Sequence, residues 1–191
     1  MTCHTDAVPA ALISRPRASR ELEMDRACLE RAIEELHPAS FAWALGCCAR
    51  RREDAEEVLQ NVYLMTLDGT ARFDGRSSFK TWLFGVIRHA ALAHARKTWV
   101  RNALLLKWLP SSQPQTPDCS GDLERCETAL HVAAALATLT NRQREVVELV
   151  FYHDLTVVEA AAVMRVGVGS ARTHYDRGKK RLRELLAEVK R

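Results

Sequence analysis

Residues 73–97 read FDGRSSFKTWLFGVIRHAALAHARK. Asp74 and Gly75 make a turn, and Arg76, Ser77 and Ser78 form a polar loop ahead of a long periodic segment. Ser78 is the expected N-cap, because its hydroxyl accepts from first-turn backbone N–H groups that no helical carbonyl reaches. Beyond it Phe79, Trp82, Leu83, Val86, Ile87 and Ala90 recur at helical spacing. Lys80, Arg88, His89, Arg96 and Lys97 occupy the rest of that surface. A packing stripe, a set of cations and a hydroxyl-bearing loop at the positive end of a helix suit a single strand of nucleic acid. Cations follow phosphates, aromatic rings stack on bases, and loop groups hydrogen-bond base edges turned out of the stack. An amphipathic helix with a merely solvated basic face has the same period. The flanking sequence separates the two readings.

A chain of 191 residues is long enough for one domain or two small ones, and its formal charge of +4 is modest. Ala, Leu, Glu and Arg dominate while β-branched runs are scarce, so the fold class expected is all-α. No segment approaches the roughly 18 apolar residues of a membrane span. Ala7–Ile13 is broken by Pro9 and preceded by Asp6, a poor signal peptide, so no membrane insertion and a cytoplasmic location are expected. Without export, the six cysteines are not expected to form a disulfide framework. Cys119, Cys126 and His131 match no common zinc spacing, and neither a metal nor another cofactor is expected. Cys28 and Cys47 are expected to behave as small buried hydrophobes. Nothing in the sequence speaks for a redox role of Cys47 and Cys48.

In chain order, residues 1–23 have no period and read as a mobile extension. Cys28, Leu29, Ala32, Ile33 and Leu36 form a stripe whose helix is expected to stop before Pro38, with a second helix over Ser40–Arg50. Arg52–Leu67 follows, with Ala55, Val58, Leu59, Val62 and Tyr63 inside and Glu53, Asp54, Glu56, Glu57, Gln60 and Asn61 outside. Acids in a first turn complement the helix dipole. The same acidic, amide-bearing ridge is also a docking surface for a basic partner helix, and residue types alone leave both readings open. These helices and the one after Ser78 make a unit over 24–97. Residues 98–128, with PSSQPQTPDCSG at 110–121, read as a flexible linker long enough to let its flanking units sit far apart.

Helical spacing resumes from Ala129, and Thr140 with Gln143 reads as a capping box. Val146, Val147, Leu149 and Val150 are the inner face of the next helix. Thr156 caps a short helix, Arg165–Gly169 form a turn, and a long last helix carries Ala171, Tyr175, Gly178, Leu182, Leu185 and Val189 on one stripe. Short helix, turn with glycine and second helix is the helix-turn-helix pattern, whose second member lies in the DNA major groove. Ser170, Arg172, Thr173, His174, Asp176, Arg177, Lys179 and Lys180 are the candidates to face DNA, early polar groups on bases and later cations on phosphates.

The stretches EDAEEVLQNVYL and FDGRSSFKTWLFGVIRHAAL, and then Leu136–Leu186, resemble regions two and four of the extracytoplasmic-function (ECF) group of sigma-70 transcription initiation factors. The resemblance implies two small helical domains joined by a flexible linker, the C-terminal one a helix-turn-helix. It implies docking of Asp54, Glu56, Glu57, Leu59, Gln60 and Asn61 on the beta-prime clamp helices of core RNA polymerase, with further contact to the beta flap. Arg76, Ser77, Ser78, Phe79, Lys80, Trp82, Arg88 and His89 would recognise and melt the −10 promoter element. The final helix would read the −35 duplex, and an anti-sigma factor would control the chain. His89 stands where Asn is usual, His174 where Arg is frequent, and Asp176 where a neutral or basic residue is common; Val158 and Arg165 also depart from the pattern.

Other classes fit less of the chain. A stand-alone helix-turn-helix regulator has no use for FDGRSSFKTWL, and an adaptor without DNA contact has none for the basic final helix. An enzyme is not expected, because no Ser/His/acid set, metal-ligand cluster or glycine-rich phosphate loop is present.

Overall fold

The computed structural model describes residues 25–105 and 134–189, and every described element is helical. Helices α1 (Arg26–Cys47), α2 (Arg52–Leu67) and α3 (Phe79–Leu105) form an N-terminal unit. Helices α4 (Asn141–Phe151), α5 (Val157–Met164) and α6 (Val168–Val189) form a C-terminal one, preceded by a helical piece at 134–137. The expected extension at 1–23 and the candidate zinc residues Cys119, Cys126 and His131 lie outside the described residues.

One boundary expectation fails. The helix expected to stop before Pro38 continues through it, so that α1 is a single helix rather than two. An interior proline loses a donor and crowds the carbonyl four residues back, at a cost of about 3 kcal/mol. Burial on both sides offsets this: Ile33 before the proline and Ser40, Trp43 and Ala44 after it are all buried, and α1 packs along both α2 and α3. Helix α3 likewise runs past Lys97 to Leu105, into the stretch read as linker.

The caps follow the sequence. Ser78 Oγ accepts from the Thr81 N–H at 3.2 Å. Thr140 and Gln143 form the expected capping box, and Thr156 forms a second one with Glu159.

The two units do not sit apart. Helix α3 packs against α5, and the buried residues of both units merge into one core that includes Trp43, Val58, Phe84 and Ile87 from the first and Val146, Leu149, Val163 and Met164 from the second. Gly85 permits the approach: a Cβ there would lie 3.9 Å from the Val163 Cα. The units pack on each other because each carries apolar surface at the seam, buried in the common core.

Candidate nucleic-acid interface

The loop before α3 is shaped by a ring cluster. Phe73 meets Phe79 edge-on at 5.5 Å between centroids, and Trp82 lies 5.6 and 5.5 Å from Phe73 and Phe79. Gly75 has φ +72°, the left-handed conformation that favours glycine in a turn. Asp74 then accepts from the Arg76 backbone at 3.2 Å and pairs with its guanidinium. Arg76 and Ser78 are exposed, and Ser77, Phe79, Lys80 and Trp82 are half-buried. A polar rim over a partly open aromatic floor is therefore present, and it is not enclosed by the core.

Farther along α3 the cations divide. His89 is exposed. Arg88, expected among the cations presented to DNA, is buried, because Glu145 of α4 reaches it from the other unit. Its Nε and Nη2 donate to the two Glu145 carboxylate oxygens, the bidentate geometry that makes Arg–carboxylate pairs strong. Lys80 Nζ donates to the His153 backbone carbonyl, and Thr81 Oγ1 to Glu159 at 3.3 Å. The His153 ring stands edge-on against Trp43 and Phe84, at 5.7 and 4.9 Å. Burial holds this imidazole at a pKa of about 4, with the Lys80 charge acting in the same direction and Asp154 against it. On the outer part of the seam Arg50 pairs with Glu148 at 3.4 Å, and burial pushes the Glu148 carboxyl upward.

The sequence reading missed these partners from the C-terminal unit. One signal was available: Glu145 and Glu148 sit beside the apolar stripe of α4, at a spacing that places both next to its buried face.

On α2 the expected docking set splits. Glu56, Glu57, Gln60 and Asn61 are exposed, with Glu56 held by Arg52 at 2.7 Å. Leu59 is 3% exposed and belongs to the core, so its place in that set is corrected. Asp54 is half-buried, bound by Arg51 at 2.6 Å and by His94 at 3.2 Å. It braces α2 against α3 and is not a free surface acid.

The helix-turn-helix is as expected. Arg165 closes α5 in the left-handed conformation at φ +54°. Ala171 and Gly178 are buried, and a Cβ on Gly178 would come within 3.0 Å of Val147. That contact seats α6 on α4 and turns the remaining side chains outward. Ser170, Arg172, Thr173, Asp176, Arg177 and Lys180 are exposed, while His174 and Lys179 are half-buried. Lys179 lies over the Tyr175 ring at 5.6 Å, and Thr173 Oγ1 is engaged with the Gly169 carbonyl at 3.0 Å.

The cysteines differ from expectation in part. Cys28 is exposed rather than buried; Cys47 is half-buried and Cys48 buried. Burial pushes the Cys47 thiol well up, with Glu145, Cys48 and Glu148 adding to it. Cys48 rises to about 11 through burial and Asp54. Neither is an activated thiol. Among the described residues no His, Cys, Asp and Glu group is arranged to hold a metal, and no helix is long and apolar enough to cross a membrane.

Residues 32–101 match the family model for Sigma-70 region 2, and residues 135–184 that for Sigma-70, region 4. The chain is 33% identical over 144 residues to the ECF RNA polymerase sigma factor SigX of Bacillus subtilis, covering 72% of this chain and 74% of SigX. It is 30% identical over 134 residues to the ECF RNA polymerase sigma factor RpoE of Cereibacter sphaeroides, covering 70% and 72%. Among solved structures, the sigma factor RpoE of Bartonella quintana, in complex with the anti-sigma factor NepR, superposes with a TM-score of 0.66 at 23% identity, over 83% of this chain and 96% of that one. CnrH in complex with the cytosolic domain of CnrY gives 0.59 at 20% identity, over 90% and 95%. At those identities the structural likeness concerns the fold.

Proposed function

Since the chain belongs to the ECF group of the sigma-70 family and is a promoter-directing subunit of RNA polymerase, we propose that its two helical units hold one promoter at two places. The Arg76–Lys80 loop and the Trp82–His89 part of α3 take the −10 element as an opened strand. A base that leaves the stack enters the space between the hydroxyls of Ser77 and Ser78 and the Phe79 and Trp82 rings, at an unstacking cost of a few kcal/mol. The partial exposure of those groups supports the reading. Helix α6 reads the −35 element as intact duplex, with Arg172, Thr173, Asp176 and Arg177 toward base edges and Lys179 and Lys180 toward phosphates. Asp176 would accept from a cytosine amino group, an acceptor where a cation would prefer guanine.

The exposed ridge Glu56, Glu57, Gln60 and Asn61 docks on the beta-prime clamp helices of core polymerase, and the C-terminal unit meets the beta flap. Polymerase supplies the chemistry, and no catalytic role is given to this chain. An anti-sigma factor is its expected controlling partner, by analogy with the fold relatives solved in such complexes.

The observation that carries this reading is the exposed polar and basic face of α6, held in register by Ala171 and Gly178, in the same chain as the FDGRSSFKTWL loop. Reconstitution with core polymerase, followed by sequencing of the DNA it retains, tests it. Two conserved blocks at fixed spacing are expected among the retained sequences; failure to bind core polymerase even at low salt would end the proposal.

A further inference from the structure

Where α2 meets α3, one imidazole stands between two carboxylates. His94 Nε2 lies 3.2 Å from Asp54 Oδ1 and 3.3 Å from Thr98 Oγ1, and its Nδ1 lies 3.5 Å from Glu57 Oε1. The His94 side chain is nearly enclosed, at 12% exposed, whereas that of Glu57 is 58% exposed. Arg51 engages the other oxygen of Asp54. Among the described residues His94 is the one group able to carry a positive charge that lies within ion-pair distance of Glu57.

A neutral imidazole has one N–H and one lone pair. With the proton on Nε2 the ring donates to Asp54 and turns its lone pair toward Glu57; with the proton on Nδ1 the lone pair faces Asp54. Either way one carboxylate meets an acceptor, and only the doubly protonated ring donates on both sides. Imidazole is also the side chain that changes charge between about pH 5 and 8. The groups facing it are Asp54 and Glu57 from α2, with Arg51 behind Asp54, and the uncharged Thr98 on its own helix. At the end of α1, Cys48 lies by Asp54 and is a neutral thiol. Asp54 is the nearer acid and keeps Arg51 whatever the ring does. Glu57 is therefore the acid that is let go when the ring loses a proton.

We propose that His94 is a positioning residue for polymerase docking: from between α2 and α3 its imidazolium fixes Glu57 in the exposed ridge, and loss of the Nδ1 proton releases that carboxylate. The proposal rests on the assignment of the ridge Glu56, Glu57, Gln60 and Asn61 to core polymerase. A carboxylate held through Oε1 still has Oε2 for a cation of the partner, and a side chain already fixed loses less freedom on binding. The ring's charge does not cancel the acid for that partner, because Asp54 lies closer to the ring and offsets it.

The test uses the full-length chain, titrated into labelled core polymerase between about pH 6 and 8 as wild type, His94→Gln, Glu57→Gln and Glu57→Lys. Each affinity profile is divided by that of His94→Gln, which removes the ring's titration, so that titrating groups of the polymerase cancel. Circular dichroism checks that each variant remains helical. Should His94→Gln unfold, Glu57→Gln, an isostere at an exposed position, serves as the reference instead. The wild-type ratio is expected to be roughly threefold tighter at the acid end than at the basic end, the scale of one partly exposed charged contact. The Glu57→Gln ratio should be flat. A wild-type ratio that is flat, or tighter at the basic end, overturns the positioning role, as does a Glu57→Gln profile that keeps the wild-type slope. Glu57→Lys separates the two claims: weakened binding with a flat wild-type ratio refutes the positioning role alone, and unchanged binding refutes the docking assignment and the proposal with it.

Discussion

Arg88 Nε and Nη2 donate to the two carboxylate oxygens of Glu145 at 3.0 and 3.2 Å, joining α3 to α4 across 57 residues of chain. The reading proposed above assigns the same guanidinium to an opened DNA strand. Arg88→Ala should therefore lower strand opening by the holoenzyme about tenfold, the scale of one lost charged contact. Arg177→Ala, on exposed α6, should lower −35-dependent binding by about 1–3 kcal/mol if it reads a base. Arg177→Ala, which touches no partner across the seam, should retain the affinity of the wild type for core polymerase. Equal loss of polymerase binding there would contradict the division of labour.

The seam should weaken in acid. His153 titrates at about 4 when folded, below the ordinary histidine value of 6.5, because burial disfavours its charged form. In that interval the unfolded chain binds more protons, so stability rises with pH between about 4 and 6.5 and is lost as pH falls through the same window. The groups acting on the ring are Lys80 of α3 and its neighbour Asp154, while α1 presents Trp43, which carries no charge. The effect should be on the order of 2 kcal/mol after allowance for water at the seam. Urea unfolding from pH 4 to 7 measures it. His153→Phe should flatten the curve, and an unchanged slope would place the titration elsewhere.

Arg165 is a non-glycine residue at a left-handed helix end. That conformation costs an L side chain roughly 1–2 kcal/mol, and glycine escapes the cost while gaining freedom in the unfolded chain worth up to about 1 kcal/mol. Arg165→Gly should then stabilise the C-terminal unit by at most ~1 kcal/mol. A rise in the urea midpoint is the expected result; a fall would mean that the arginine side chain contributes more than its backbone costs.

The two acids of α2 should behave differently. Glu57 is exposed, with His94 at 3.5 Å as its neighbour, so Glu57→Lys should weaken polymerase association about tenfold with little loss of stability. Asp54 is held by Arg51 and His94, so Asp54→Ala should cost about 1 kcal/mol of folding stability. Titration of labelled core polymerase and thermal melts separate the effects. Unchanged polymerase affinity of Glu57→Lys would move the contact off this ridge.

Local chemistry was legible wherever it is set by near neighbours. Ser78, Thr140 and Thr156 cap their helices because a hydroxyl three residues from an orphan N–H needs nothing else. The outward face of α6 follows from the stripe through Ala171 and Gly178. Pro38 misled because its local cost is exceeded by burial on helices far along the chain. Arg88 and Asp54 misled for a related reason: a charged residue off the stripe reads as solvated unless its remote partner is known, and Glu145 and His94 are such partners. The packing of one unit on the other left its trace only in acids bordering an apolar stripe, which is too weak a sign to separate a seam from a solvated edge.

Permanganate footprinting of thymines on a promoter selected by the reconstituted holoenzyme tests the two-place grip most directly. Reactive thymines confined to the −10 element, with the −35 block protected as duplex and both signals requiring core polymerase together with this chain, are the expected pattern. A duplex that stays closed while the free chain alone protects a palindrome would contradict it.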